Sequence, residues 1–319
     1  MASEFDLIRQ YFTRPTSHTN LGVGDDAALL TVDQGHELAI SVDMLVADTH
    51  FLADTNPWQL GWKSLAVNIS DMAAMGAEPK WATLAIALPT ADENWIAAFA
   101  EGFFACAERF NADLIGGDTT RGPLCISVQI MGQVPTGQAL RRDGAKTGDD
   151  IWVSGQLGDA ALALNHLLSK HPLTDDELAL TLPALLQPQP RVTLGLALRN
   201  IAHSAIDISD GLLADLGHIL DASGLGAELC LDDIPRSATM QQHLTNPSVL
   251  NMLLAGGDDY ELCFTSPADM HNRILQIATE TGLALSCIGK TRAEPGLLVR
   301  NRQGNLIETG AIGFDHFRQ

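Results

Sequence analysis

The chain has 319 residues, and its 39 acidic and 19 basic side chains give a formal net charge of −20 at pH 7. This charge argues against binding to nucleic acids or to anionic membrane surfaces, because both require a surplus of cationic side chains. Hydrophobic residues make up 46% of the chain, which excludes bulk disorder and allows a sizeable core. At roughly 100–200 residues per domain, the length predicts two domains.

Neither a membrane-spanning segment nor a secretory leader is predicted. No apolar run approaches the ~20 residues that a membrane span requires, and Glu4 and Asp6 precede any apolar stretch. The cysteines are far apart and lie in apolar stretches, which is typical of buried free thiols rather than of disulfides or a zinc site. These five are Cys106, Cys125, Cys230, Cys263 and Cys287. We therefore expect a cytoplasmic protein.

The first half of the chain mixes predicted strands and helices. The predicted elements are a strand at 36–46, a helix from Asn56-Pro57, a strand at 81–88, a helix begun by a Thr90–Glu93 capping box and running to about Phe110, and strands at 113–116 and 124–134. Polar residues Ser64, Asn68 and Asp71 fall on one stripe of the first helix, beside an apolar stripe that predicts burial.

The segment 138–150 is polar, contains glycine and has no clear period, so the domain boundary is placed there. The pattern of strands and helices in the second half of the sequence predicts another α/β unit. Its predicted elements are strands at 151–155, 205–209, 260–266, 285–291 and 296–301, and helices at 158–169, 190–202, from Gly211 to near Gly224, and from a cap at Ser266-Pro267 to near Gly282.

Seven aspartates stand where apolar strands and helices predict burial. Asp43 interrupts an apolar strand, and Asp71 lies beside the apolar stripe of a helix. A buried carboxylate is costly unless it is paired or bound to metal, and the chain has few basic residues near these acids. Hard divalent cations with oxygen ligands are their natural partner. The other five are Asp26, Asp118, Asp207, Asp210 and Asp258.

Glycines beside these acids indicate an anionic ligand. Gly116-Gly117 and Gly256-Gly257 would let backbone amides approach a phosphate, and the helix that opens at Gly211 would present free amides to an anion. Acids together with glycine loops predict a Mg²⁺–nucleotide polyphosphate as the ligand. Asp210 fits either a metal ligand or a simple cap of that helix, and His50 fits either a ligand contact or a structural role.

The sequence contains no pattern for a covalent nucleophile. G-x-S-x-G is absent, and no cysteine has a catalytic context. This absence is consistent with an acceptor that is already an anion, because a phosphate monoester needs no general base to deprotonate it. Catalysis would then consist of alignment and charge neutralisation by metal ions and an arginine.

Six motifs follow one another along nearly the whole chain, which ends with GFDHF at 313–317 and two further residues. They are GVGDDAALL, ISVDMLVADTHF, NISDMAAMGAEP, LIGGDTTRG, IDISDGLLADLGH and LAGGDDYELCF. Together they resemble the thiamine-monophosphate kinase family, within the superfamily that shares the ATP-binding fold of aminoimidazole ribonucleotide synthetase.

The resemblance implies a two-domain α+β / α/β architecture. Residues 1–138 would bind ATP and metal, and strands of their mixed sheet would join those of a second copy in a β-barrel that spans a homodimer. Residues 139–319 would form an α/β domain that completes the nucleotide and substrate site. The implied reaction converts ATP and thiamine phosphate into ADP and thiamine diphosphate by direct in-line transfer with several Mg²⁺ ions.

The motifs also imply roles for particular residues. Metal ligands would be Asp26, Ser41, Val42 through its carbonyl, Asp43, Asp71, Asp118, Asp207 and Asp210. Contacts to ATP would come from Gly117, Asp118, Arg142 and Ser209. Contacts to the thiamine moiety would come from His50, Asp258 and Phe314, the last at a position where the family often has tryptophan.

Three alternatives compete with this interpretation. A selenophosphate synthetase would carry a reactive cysteine or selenocysteine near its start, whereas the first cysteine here is Cys106. A hydrogenase-maturation enzyme of the superfamily would carry a C-terminal cysteine, whereas the corresponding positions of this sequence are Phe317-Arg318-Gln319. A non-catalytic acidic protein would bind divalent cations without turning over ATP.

Overall fold

The structure is a computed structural model that describes residues 4–308 together with 310 and 313. The chain divides into two compact units. Unit 1 comprises Met1–Met72 and Ala77–Gly137, and unit 2 comprises Ala73–Gly76 and Gln138–Gln319. Each unit has its own main sheet.

Unit 1 is built on a four-stranded mixed sheet. Its elements are α1 (Glu4–Leu7, continued by a π-helical turn Ile8–Phe12), β1 (Thr19–Leu21), β2 (Leu29–Leu30), β3 (His36–Val46), α2 (Pro57–Ala74), β4 (Glu78–Leu88), α3 (Glu93–Phe110), β5 (Asp113–Arg121) and β6 (Cys125–Pro135). The strand order is β3-β6-β4-β5, with β4 and β5 parallel and the other neighbours antiparallel. Strands β1 and β2 form a separate small ribbon.

The register of β3 against β6 is continuous, from His36 opposite Pro135 to Val46 opposite Cys125. Successive side chains of a strand point to opposite faces. Ser41 and Asp43 therefore share one face of β3, and the exposed Ile40, Val42 and Met44 share the other. The bounds agree with the strand that the sequence predicted for residues 36–46, but in a single chain the apolar face is the exposed one and the face of Ser41 and Asp43 is half-buried.

Unit 2 has a six-stranded sheet covered on both faces. Its elements are β7 (Asp150–Ser154), α4 (Asp159–Leu167), α5 (Asp175–Leu186), α6 (Val192–Leu198), β8 (Ser204–Asp207), α7 (Leu212–Ser223), β9 (Gly226–Cys230), α8 (Ala238–His243), α9 (Pro247–Ala255), β10 (Leu262–Ser266), α10 (His271–Thr281), β11 (Leu285–Arg292) and β12 (Gly296–Arg300). The strand order is β12-β9-β11-β7-β10-β8.

Two apolar cores lie on the two faces of this sheet. One contains Ile151 and Val153 of β7 with residues of α7 and α9, and the other contains Trp152 and Phe264 with residues of α6 and α10. Because alternate residues of β7 enter different cores, the strand is buried on both faces, which explains its unbroken apolar sequence.

Several sequence predictions are corrected by the structure. Asp92, not Thr90, caps α3, since its carboxylate accepts the amides of Asn94 and Trp95. Helix α10 begins at His271, not after Ser266-Pro267, because a 3₁₀ turn at Ala268–Met270 intervenes. Strand β5 continues to Arg121 and so includes Gly117, whereas the sequence predicted a strand that ended at 116 and a glycine loop after it. The elements that were not predicted are α1, β1, β2, α5, β9, α8 and α9.

The expected two-domain fold with mixed sheets is confirmed. No closed barrel is present among residues 4–308. In the same part of the chain, none of the helices is both long enough and apolar enough to cross a bilayer.

Candidate functional site

In unit 1, strand β3 and helix α2 bring three of the predicted metal ligands together. The Ser41 hydroxyl donates a hydrogen bond of 2.6 Å to the Asp71 carboxylate. The backbone amide of Asp43 donates to the Asn68 side-chain carbonyl at 3.1 Å. Since Ser41 and Asp43 share a face of β3, their side chains and that of Asp71 form one half-buried group of oxygen donors.

Asn68 holds this group in place. Its side chain is fully buried, and its amide nitrogen donates to the backbone carbonyl of Ser64, one turn earlier in α2. The polar stripe of α2 is therefore internal and faces β3. A buried amide with both ends bonded fixes the spacing between strand and helix, so Asn68 acts as a positioning residue.

Asp118 and Gly117 lie on β5, at the other end of the sheet. Pairing aligns Asp118 with Ala85, Ser127 and Met44 in one row across the four strands. Three strand spacings of ~4.8 Å put Asp118 about 14 Å from β3, so it does not touch Asp43. Gly117 has φ of 152°, and a Cβ there would meet the Leu84 carbonyl oxygen at 1.8 Å, so this position requires glycine.

His50 lies in the tight turn that follows β3. Its Nδ1 accepts the Val46 amide at 3.0 Å, so the proton of the neutral ring is on Nε2. Asp48 has φ of 61° in the same turn. Asp26 is exposed in the segment between β1 and β2. Phe314 lies outside the described residues.

In unit 2, the segment after β8 meets the segment before β10, and this contact gathers four predicted site residues. The Asp258 amide donates to the Ser209 carbonyl at 2.9 Å, and the Tyr260 amide donates to the Ile208 carbonyl at 2.8 Å. The four residues are Asp207, Ser209, Asp210 and Asp258. Asp207 is only 5% exposed at the end of β8, whereas the other three are half-buried.

Three amides directly before α7 are already occupied. One carboxylate oxygen of Asp215 accepts the amides of Ser209, Asp210 and Gly211 at 3.0, 3.0 and 3.1 Å. These three amides are therefore not available to an anion. An anion at the amides of the first helical turn itself stays a prediction, and so does the choice between a metal-ligand and a capping role for Asp210. Burial raises the pKa of Asp215 to about 7, against the opposing effect of these hydrogen bonds.

The loop of Asp258 is strained and firmly anchored. Asp258 and Tyr260 have φ of 70° and 48°, and the Tyr260 hydroxyl donates to the Asp258 carboxylate at 3.1 Å. On one side, Asp259 accepts the Gly158 amide at 2.9 Å. On the other, Glu261 accepts from Ser154 and pairs with the Arg191 guanidinium. Strain of this kind persists only where the surroundings enforce it.

Arg142, another predicted site residue of unit 2, lies near the end of α7 opposite to Asp210. Its carbonyl accepts the hydroxyl of Ser223 at the carboxyl end of α7, whereas Asp210 precedes the amino end. The 12 residues of α7 span about 18 Å at 1.5 Å per residue. The side chain of Arg142 is exposed.

Both groups of donors are suited to hard cations. Carboxylate and hydroxyl oxygens predominate, and no cysteine belongs to either group. Sequence reasoning missed Asp215, Asp259, Glu261 and Arg191, which hold the loops of unit 2. The available signal was weak: Asp215 is an acid in the first turn of a helix, and Glu261 is an acid directly before a buried strand.

Comparison with known proteins covers almost the entire chain. Residues 24–134 match the AIR synthase related protein N-terminal domain, and residues 146–300 match the AIR synthase related protein C-terminal domain. Thiamine-monophosphate kinase of Salmonella typhimurium is 46% identical over 319 residues, which cover 98% of each chain.

Solved structures agree in sequence and in fold. Thiamine-monophosphate kinase from Stenotrophomonas maltophilia is 49% identical with a TM-score of 0.84, over 88% of this chain and 91% of that one. AaThiL complexed with AMPPCP and TMP is 30% identical with a TM-score of 0.78, over 92% of each chain. HypE of E. coli, a hydrogenase maturation protein, is 21% identical with a TM-score of 0.79, over 97% and 96% of the two chains, which shows a shared fold alone.

Proposed function

The chain belongs to the thiamine-monophosphate kinase family of enzymes, and from this premise we propose that it transfers the γ-phosphate of ATP to thiamine phosphate, giving thiamine diphosphate and ADP. The observation that carries the proposal is identity of 46% over the full length of a kinase of that name. A relative complexed with AMPPCP, an ATP analogue, and with TMP supports the two substrates.

The oxygen donors fit Mg²⁺. The Ser41 hydroxyl and the Asp71 carboxylate are 2.6 Å apart, and Asp207 places a carboxylate that is only 5% exposed at the end of β8. Bound Mg²⁺ neutralises charge on phosphate oxygens and orients them. The proposed ligands are Asp26, Ser41, the Val42 carbonyl, Asp43, Asp71 and Asp118 in unit 1, and Asp207 and Asp210 in unit 2.

Other predicted residues would contact the two substrates. We assign ATP contacts to Gly117, Asp118, Arg142 and Ser209, and thiamine contacts to His50, Asp258 and Phe314. An acid suits the cationic thiazolium ring, and an aromatic face suits it as well. The domain of residues 1–138 then binds ATP and metal, and that of residues 139–319 completes nucleotide and substrate binding.

The transfer needs alignment more than acid–base chemistry. The acceptor is a phosphate oxygen that already carries negative charge, so no side chain has to remove a proton from it. It attacks the γ-phosphorus in line while the bond to the ADP oxygen breaks. The protein contributes orientation and positive charge, and no covalent phosphoenzyme forms.

Exposed side chains on β3 support a homodimer. Leu38, Ile40, Val42 and Met44 lie on one face and are 37, 53, 61 and 57% exposed. Apolar rows of this kind are uncommon on monomers. A second copy of the chain covering this face would complete the dimer-spanning barrel. The five free thiols are consistent with a reducing, cytoplasmic location.

The direct experiment incubates the protein with Mg-ATP and thiamine phosphate and separates the products by chromatography. We expect thiamine diphosphate and ADP in equal amounts. ATP consumed without thiamine diphosphate would favour another enzyme of the superfamily, and Mg²⁺ binding without turnover would favour a non-catalytic cation-binding protein. Either result contradicts the proposal.

The metal-binding role is tested by Asp43→Asn, which keeps the shape of the side chain and removes its charge. We expect the rate to fall about 100-fold or more, with thermal stability nearly unchanged. Asp54→Asn is the matched control, because Asp54 is an exposed acid a few residues after β3. Full activity in the Asp43→Asn variant would remove Asp43 from the proposed ligands.

A further inference from the structure

Three residues with metal-binding side chains meet in unit 2, on the face of the sheet that α10 covers. Asp150 begins β7, Cys287 lies on β11, and His271 is the first residue of α10. Pairing places Cys287 opposite Trp152 and Lys290 opposite Asp150, with a bulge between Cys287 and Gly289. Because of this extra residue, Cys287 and Lys290 point to the same face as Asp150.

The donor atoms are close enough to share one ion. The Asp150 carboxylate, a His271 ring nitrogen and the Cys287 sulfur lie within 4.8 Å of one another. His271 Nδ1 is 3.2 Å from Asp150 Oδ2. Bonds of about 2.0–2.1 Å in tetrahedral geometry place two N and O ligands of zinc about 3.3 Å apart. From these distances we propose that Asp150, His271 and Cys287 bind one zinc-type divalent ion, with water as the fourth ligand.

The donor set selects the class of metal. One thiolate, one imidazole and one carboxylate are ligands typical of Zn²⁺, whereas Mg²⁺ prefers oxygen alone. The site therefore differs in chemistry from the proposed Mg²⁺ ligands, which contain no sulfur or nitrogen donor. No local sequence pattern indicates this group, because Asp150 and His271 are 121 positions apart and Cys287 lies still later in the chain.

Local packing orients the three side chains. The His271 ring packs against the buried Trp152 indole with ring centroids 4.7 Å apart. The Asp150 side chain is 6% exposed and that of His271 is 44% exposed, so the site is closed towards the core and open to solvent on one side. A zinc ion there would connect β7, β11 and the start of α10.

Lys290 competes with a metal for Asp150. Its ammonium group pairs with Asp150 Oδ1, yet the lysine side chain is 62% exposed and can move into solvent when an ion binds. Burial, together with the Asp150 charge, raises the pKa of the Cys287 thiol. Binding therefore displaces a proton from sulfur and an ammonium from the carboxylate.

The test uses metal-free, full-length protein without a histidine tag, titrated with Co²⁺. Thiolate ligation gives a sulfur-to-cobalt charge-transfer absorption that oxygen ligands do not give. We expect this absorption to saturate at one Co²⁺ per chain, to disappear on addition of Zn²⁺, and to be absent from Cys287→Ser. Cys230→Ser is the control, because Cys230 is a half-buried thiol of the same unit outside the cluster.

Two further variants separate metal binding from folding. His271→Asn should weaken Co²⁺ binding at least tenfold, and Lys290→Ala should strengthen it up to about fivefold, since an exposed ion pair is worth little. Zn²⁺ should raise the thermal midpoint of the unaltered chain and of Lys290→Ala, but not of Cys287→Ser. Absence of the charge-transfer band, or its survival in Cys287→Ser, overturns the proposal. None of these readouts depends on kinase activity.

Discussion

Among single residues, Asp215 has the largest structural consequence for the candidate site. One carboxylate oxygen holds three successive amides, and these amides belong to the turn that carries Ser209 and Asp210. Asp215 is itself 3% exposed, so its loss would leave buried donors without partners. The positions of Ser209, a proposed ATP contact, and Asp210, a proposed metal ligand, thus depend on a residue that has neither role.

We predict that Asp215→Ala lowers both stability and activity. Leaving buried amides unsatisfied costs about 1–3 kcal/mol of unfolding free energy, and the displaced turn should lower the kinase rate by more than tenfold. Urea unfolding and product formation measure the two effects. Asp221→Ala, which alters an exposed acid on the same helix, should change neither. An Asp215→Ala variant as stable and as active as the unaltered chain would contradict this role.

Among elements, helices α2 and α3 approach each other through paired glycines. A Cβ on Gly61 would meet the Phe99 carbonyl oxygen at 2.0 Å, and one on Gly102 would meet the Trp58 carbonyl oxygen at 1.8 Å. Backbone contact of this kind leaves no room for any side chain. It also sets the position of α2, and with it Asn68 and Asp71, relative to the rest of unit 1.

Gly102→Ala should therefore destabilise the protein by about 1–3 kcal/mol, the usual cost of overpacking. Gly217→Ala provides the opposite expectation within helix α7. A Cβ at Gly217 would have no neighbour within 4 Å, and alanine should stabilise the helix by about 0.5–1 kcal/mol. Chemical unfolding of both variants measures the difference. Equal effects would mean that the close approach does not limit packing.

A series of side-chain hydrogen bonds links helix α5, helix α8 and the segment between α4 and α5. His171 Nε2 is 3.0 Å from His243 Nδ1, and His243 Nε2 is 3.0 Å from a Glu177 oxygen. Burial, and then the charge of His243, lower the pKa of His171 from 6.5. Hydrogen bonds from Thr174 and His243 lower the pKa of Glu177 to about 2.

These hydrogen bonds predict that His171 makes an acid-sensitive contribution to the stability of unit 2. Because the folded-state pKa of His171 is below its unfolded value, its contribution is complete above about pH 6.5 and is lost as pH falls towards the folded-state value. Glu177 remains ionised in this range and does not contribute to the change. His171→Gln should reduce the loss of stability between about pH 7.5 and 5.5, measured by urea unfolding. The exposed His218→Gln should leave the loss unchanged.

At the scale of the whole molecule, a single chain leaves the apolar face of β3 exposed. Ile40→Glu places a charge in the centre of this face. We expect light scattering to give twice 34.1 kDa for the unaltered chain and 34.1 kDa for this variant. Leu180→Glu is the control, because Leu180 is 72% exposed on α5. An unaltered chain that is monomeric at micromolar concentration would contradict the proposed dimer.

The sequence by itself was sufficient for properties that depend on residue order. Six motifs identified the family, and local alternation predicted β3 residue for residue. Acids in apolar segments led to the prediction of metal ligands, because burial of charge has a cost that does not depend on the details of the fold; this assignment stays a prediction.

Only the tertiary structure decided which groups meet. Two glycines after an apolar run, such as Gly116-Gly117, fit either a loop or a continuing strand. Pairing with β4 decides for the strand. The amides before α7 are occupied by Asp215. Cys287 shares a face with Asp150 because β11 has a bulge where it pairs with β7, a strand far away in the sequence. Contacts of this kind arise from long-range pairing, which leaves no local period in the sequence from which they could be predicted.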